Sequence, residues 1–334
     1  MPRKILLTLA LLATAGAPSC STRPTAYGDA NSIIAVMHPD LWEQLSEEVY
    51  DALEPTIQTV RNEKTFTVTY QDPETPEWGM LQRFRQLLLV GTEDDPWIAQ
   101  ALEYARKEIS APGITQAYDV WSRGQQATIV LLSDGAAAEE LRSFLPAVND
   151  LLDSQFREYA RNRMFMSGID SALVDTLAMQ ARFSVLVPDV YRWSAQDSVY
   201  VFRNDNPDPA ELIRQVAVTW RSPIPEGMSR TDVLAWRDQV ANGYYNQGQM
   251  VDTTALFEEA GGDTERPSNQ IQGIWKNPPD LPWPAAGPFI TRVVTCPGQD
   301  RMYLVDAWLY APGKEKYEYM IQLETILDSF RCYR

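Results

Sequence analysis

Phe289-Ile290-Thr291-Arg292-Val293-Val294-Thr295 is followed by Cys296-Pro297-Gly298-Gln299-Asp300 and then by Arg301-Met302-Tyr303-Leu304-Val305-Asp306-Ala307-Trp308-Leu309-Tyr310. Two runs rich in β-branched and aromatic residues around a Pro-Gly turn predict a β-hairpin. A helix is predicted next, over Lys314 to Phe330, because Tyr319, Met320, Leu323, Ile326, Leu327 and Phe330 recur at spacings of three and four. A hairpin covered by a helix is an α+β arrangement. Alternation along the second strand puts Asp306 on the same face as Leu304, Trp308 and Tyr310. An acid in an apolar strand either faces solvent or is paired. Arg292 on the neighbouring strand is the candidate partner, and a structural ion pair is the expected reading rather than a catalytic acid.

Working outward, the chain reads as alternating strands and helices. Ser32 to Met37 is a short apolar strand, and Asp40 with Glu43 forms a capping box for a helix to about Leu53. Strands follow at Phe66 to Tyr70 and Leu87 to Val90, and Asp95-Pro96 opens a helix to about Ile109. Ala117 to Ser122 and Ala127 to Leu132 form a hairpin around Arg123-Gly124-Gln125. A long helix then starts at Ser133 or Asp134, with Pro146 expected to kink it. The second half repeats this order. Phe183 to Asp189 and Val199 to Phe202 are strands, and Asp208-Pro209 with Glu211 opens a helix. The expectation is an α+β protein of two similar strand-strand-helix-hairpin-helix halves. Their sheets would be antiparallel, with helices packed on one face. The halves span 32–180 and 181–334, related by duplication of about 64–160 onto 181–332. An insertion at 221–287 carries a capped helix (Thr231 to Tyr244), a helical piece near Thr254 to Glu259, a turn at Gly261-Gly262, and the Trp/Pro-rich stretch Trp275 to Pro284.

Composition limits the function. The chain has 334 residues, 45% of them hydrophobic, with 29 Lys+Arg against 45 Asp+Glu and a formal charge of −16. A folded protein is expected, and nucleic acid or an anionic membrane surface is disfavoured as the main partner. The first twenty residues, MPRKILLTLALLATAGAPSC, have a basic start, a short apolar run and small residues, the pattern of a secretory signal. Ala17-Pro18-Ser19-Cys20 resembles a bacterial lipoprotein signal, in which residues 1–19 are removed and Cys20 is lipidated. Ordinary cleavage at the same bond is the alternative. After either, the net charge is 27 − 45 = −18. With lipid on Cys20, Cys296 and Cys332 are left as an even pair, expected either as a disulfide closing 36 residues or as two thiols. The disulfide contributes about 3–4 kcal/mol by the loop-entropy account. Residues 20–31 read as a flexible tether.

The sequence offers little for catalysis. It has no GxSxG or SxxK, no GxGxxG and no P-loop. The single histidine, His38, lies in His38-Pro39-Asp40, which reads as a turn between strand and helix. One histidine and three scattered cysteines exclude a structural zinc site. Asn204-Asp205-Asn206-Pro207-Asp208 spaces oxygens as a calcium loop does, but lacks its glycine and distal glutamate, and so reads as a turn and cap. No cofactor and no metal are expected. Trp275, Trp283 and Trp308, with Arg292 and Asp306, form the candidate binding surface, because tryptophans grip sugars and partner chains; the alternative, that the tryptophans plug the gap between the loop and the sheet, is the favoured one.

Gly273-Ile274-Trp275, Gly287-Pro288-Phe289, Val305 to Lys314 and Tyr319 to Glu324 resemble the bacterial lipoprotein family known as domain of unknown function 4837. The likeness is sharpest over 271–327. It implies an envelope lipoprotein and supplies no reaction, ligand or catalytic residue. The expected function is therefore non-catalytic binding or scaffolding in the bacterial envelope. The membrane is contacted through lipid at Cys20, and an envelope protein or glycan is the partner. The alternatives are a carboxylate-based hydrolase acting on glycan or peptide, and a carrier of an apolar ligand.

Overall fold

The computed structural model describes residues 23–208, 210–257, 270–281 and 283–333. Cys20, Pro209, the Gly261-Gly262 turn and the end of the expected helical piece at 258–259 lie outside the described residues. The chain is α+β, as expected, but its two large sheets are of different kinds.

The N-terminal sheet is built from β1 (Ser32–Val36), β2 (Thr67–Gln71), β3 (Gln86–Gly91), β4 (Gly113–Tyr118) and β5 (Gln126–Leu131), in the order β2-β1-β3-β5-β4. The first four in that order are parallel, and only β4 runs against its neighbour. The expectation of an antiparallel sheet fails here. β3 is Gln-Leu-Leu-Leu-Val-Gly and is buried throughout, the signature of a strand covered on both faces. Helices α1 (Pro39–Leu53) and α3 (Ala137–Met164) cover one face through Leu45, Val49, Leu53, Leu145 and Leu152. Helix α2 (Pro96–Leu102) covers the other through Trp97, Ile98 and Ala101. It stops well short of Ile109. His38, rather than Asp40, occupies the N-cap of α1, with Pro39 in the first turn.

The C-terminal half begins with α4 (Ser171–Ala181), for which no element was expected. Asp170 caps it by accepting from the Leu173 amide. The seven-stranded sheet comprises β6 (Arg192–Gln196), β7 (Val199–Asn204), β8 (Ile213–Arg221), β9 (Met250–Leu256), β10 (Gln270–Lys276), β11 (Ala286–Cys296) and β12 (Arg301–Tyr310). Its order is β9-β10-β11-β12-β8-β7-β6, antiparallel throughout. The expected hairpin is its centre. Residues after Asp208 form strand β8, not a helix, and β9 replaces the helical piece expected from Thr254. The region read as an insertion instead supplies α5 (Arg230–Tyr244) and two strands of the main sheet. Helix α5 carries the Ser229–Asp232 capping box. It covers one face, while α4 and α6 (Tyr317–Asp328) cover the other, so helices again lie on both faces. Of the strand expected at 183–189, only Phe183–Ser184 forms, paired to Arg331–Cys332. Cys296 and Cys332 are disulfide-bonded beside it, with Cα atoms 6.1 Å apart.

A mostly parallel sheet and an antiparallel meander are not copies of one unit, so the expected duplication is not found. The halves join along α6. Its Tyr317 and Ile321 are buried in the N-terminal core, Tyr317 stacking on Phe156 at 5.4 Å, while Leu323, Ile326 and Leu327 belong to the C-terminal core. Tyr317 also donates to Asp153, and Arg157 pairs with Glu324 at 3.2 Å.

The first described residues, 23–27, are held by contacts. Residues 24–27 lie against the beginnings of β3 and β5. The Ala26 amide bonds Arg123 O at 2.9 Å, and the Arg85 amide bonds Tyr27 O at 2.7 Å. Arg23 donates to Tyr104 at 2.6 Å and to the Asp119 carbonyl. From Arg23 onward, the segment expected to be a free tether is docked.

Candidate functional site

Asp306 is completely buried, on the α5 side of β12 as alternation required. Its partner is Arg237 of α5, whose Nε donates to Oδ1 at 2.9 Å. Tyr245 donates to Oδ2 at 2.6 Å and Thr291 to Oδ1. The Arg237 guanidinium also donates to Gln249 at 2.9 Å and lies 4.2 Å from the Phe289 ring centre. Burial, then the charge of Asp306, pushes the Tyr245 phenol well above its ordinary pKa, so it remains a donor. Arg292 is not the partner. The register sets Thr291 opposite Asp306 and Arg292 opposite Val305, which turns Arg292 to the other face, where it meets Asp328 and Gln270.

The tryptophans are also mostly interior. Trp275 and Trp308 are 1% and 3% exposed and meet edge-on at 5.3 Å. Trp275 donates to the Leu309 carbonyl at 3.2 Å. Of these three tryptophans, only Trp283 is exposed. The five residues read as a binding surface are therefore, except Trp283, the core and ion-pair structure beneath α5 and α6.

Two other places gather functional groups. The first is the C-terminal end of the parallel sheet. His38 follows β1 and Asp95 follows β3, the neighbouring strands between which the chain order reverses, and His38 Nε2 meets Asp95 Oδ1 at 2.9 Å. Asp95 also accepts from the Thr92 amide at 2.7 Å, and Trp97 packs on the imidazole edge. The pair ties two loop starts together.

The second is a cavity of about 600 Å³ where the end of α3 meets the C-terminal half. Met164, Val190 and Leu212 give it apolar wall, Arg163, Arg214 and Lys314 give it cations, and Asp208 and Glu318 give it carboxylates. Arg214 donates to Gln322 at 3.2 Å and to the Asn206 carbonyl at 2.9 Å, yet its Nε is buried with no partner among the described residues. Tyr191, 5% exposed, lines the same cavity, and its hydroxyl is likewise buried without a partner. Burial pushes this phenol up to about 12, partly offset by Arg214. Burial also raises Glu318. That carboxylate is engaged by Arg163 and Gln322, each at 3.0 Å, so it is held as a structural acid. No sequence motif marks Tyr191, and Arg214 lies where a helix start was expected.

The architecture defines a class: a parallel α/β half and an antiparallel α+β half, sealed by a shared helix. Residues 170–329 match the family model described as domain of unknown function (DUF4837), so the resemblance read from 271–327 extends over nearly all of the C-terminal half. Residues 26–166 match a different model, domain of unknown function (DUF8532), in keeping with the two unlike sheets. No curated protein matches the chain. Among solved structures, the Ran-binding protein Mog1p of Saccharomyces cerevisiae is 10% identical, with a TM-score of 0.32 over 46% of this chain and 90% of that one. LpqN of Mycobacterium tuberculosis, described as involved in cell envelope biogenesis, is 13% identical, with a TM-score of 0.27 over 46% and 83%. Cyanobacterial PsbP of Synechocystis sp. PCC 6803 is 13% identical, with a TM-score of 0.27 over 46% and 87%. Likeness at this level carries no functional argument.

Proposed function

We propose that this is a lipid-anchored protein of the bacterial cell envelope, held at Cys20, that binds a ligand without transforming it. The ligand site is the cavity walled by Tyr191 and Arg214. The supporting observation is the pair of buried, unpartnered donors, the Tyr191 hydroxyl and Arg214 Nε, beside apolar wall. A buried donor left unpaired costs about 1–3 kcal/mol, which a ligand acceptor recovers. The volume of about 600 Å³ lies within the small-molecule range. The matching ligand has an apolar body and an acceptor-rich, anionic head. This joins the binding reading to that of a carrier.

Titration calorimetry on the mature chain tests it, with decanoate and decyl phosphate as probes and decanol and inorganic phosphate as half-ligands. The amphiphilic anions are expected to bind and the half-ligands to bind far more weakly. Tyr191→Phe and Arg214→Met are each expected to weaken binding about tenfold or more. Absence of binding by both amphiphiles sinks the reading.

A further inference from the structure

We infer that the end of the N-terminal sheet bearing Arg23, Arg83, Arg106 and Arg123 lies against the membrane, on an anionic phospholipid surface. The inference rests on lipid at Cys20. Arg23 is fixed to the body through Tyr104 and the Asp119 carbonyl, and residues 24–27 are bonded alongside β3 and β5. Cys20 and Arg23 are only three peptide steps apart, at most about 11 Å of chain. An acyl anchor at Cys20 therefore leaves the docking point of Arg23 at headgroup depth. A leash so short keeps this end of the sheet close to the bilayer.

The face brought to the surface in this way is suited to it. Arg23, Arg83, Arg106 and Arg123 are all exposed there, and none forms an ion pair among the described residues. Arg106 lies over the Tyr118 ring at 3.9 Å, and Arg123 donates to Thr25 at 3.2 Å. Glu77, Glu103, Glu108 and Asp119 belong to the same stretches as these arginines and Lys107, so cations are slightly in excess locally on a chain whose formal charge is −16. That net charge opposes association by the body as a whole. The covalent leash and this local surplus together favour this end against anionic headgroups. The His38–Asp95 end of the sheet, a strand length of about 20 Å away, then faces outward.

The test uses full-length protein matured from its own signal and reconstituted in phosphatidylethanolamine–phosphatidylglycerol vesicles containing a headgroup nitroxide lipid. Intact mass first reports acylation. A fluorophore is then placed at Glu103→Cys, beside the arginines, or at Glu139→Cys, at the opposite end. Quenching several-fold stronger at 103 than at 139 is expected, with the bias falling in the Arg83→Glu/Arg106→Glu/Arg123→Glu variant. Equal or reversed quenching on acylated protein overturns the assigned face and leaves the anchor standing. A bias untouched by the charge reversal overturns the part assigned to the arginines. An unacylated chain removes both the anchor and the face.

Discussion

Asp306 and Arg237 are each wholly buried, so each depends on the other for compensation of its charge. Arg237→Met leaves a carboxylate in the core with only Tyr245 and Thr291 as donors. It is expected to cost about 3–5 kcal/mol in a urea titration. Arg237→Met/Asp306→Leu should recover most of that loss, since a buried pair replaced by apolar groups is often nearly neutral. A double variant as unstable as the single would contradict this account. The face Asp306 shares with Leu304 and Trp308 was legible from the alternation of β12. The partner of Asp306 was not, because Arg237 comes from a helix 69 residues earlier, and the nearer Arg292 differs from Thr291 by one step of a period-two pattern. Tyr191 was invisible for a related reason. An unpaired hydroxyl is a property of what surrounds it, not of any local pattern.

Elements with strong periodic signals were read well, and those with competing signals were not. The β11–β12 hairpin, the capped helix α5, and α6 all lie where the sequence places them. Strand β8 was missed because Asp208-Pro209 suits a helix start and a turn equally. Burial of Val216 and Val218 on one face and Ala217 on the other identifies the strand only once its neighbours are known. The parallel pairing of β1, β2 and β3 was likewise hidden, since strand direction is decided by crossovers and not by residue type. Strand β11 allows a sharp test. A Cβ at Gly287 would lie 1.9 Å from the Leu309 carbonyl oxygen and 2.8 Å from Trp275 Nε1, whereas one at Gly298 meets nothing within 4 Å. Gly287→Ala should therefore lower stability by about 1–3 kcal/mol or more. Gly298→Ala should stay within about 0.5 kcal/mol. Equal melting temperatures for the two variants would show that the strands separate more easily than their contacts suggest.

At the scale of the molecule, α6 binds two unlike halves into one. Tyr317 stacks on Phe156, donates to Asp153 and is buried, with Arg157 and Glu324 paired beside it. Burial pushes its phenol pKa upward, opposed in part by Arg157, and so the hydroxyl stays a donor across the neutral range. Tyr317→Ala removes a large buried side chain, at an expected cost of about 3–5 kcal/mol. The loss falls on the seam, so calorimetry should resolve two transitions where the parent shows one. A single transition in the variant would mean that other contacts couple the halves. The two family-model matches meet between residues 166 and 170, but the physical dependence crosses that line, because the N-terminal core is completed by a helix encoded some 150 residues later. Cut at that line, the polypeptide becomes a complementation pair. The first fragment would carry an open aromatic socket at Phe156, the second would carry the plug at Tyr317 and Ile321, and each would serve as a reporter of the other's presence.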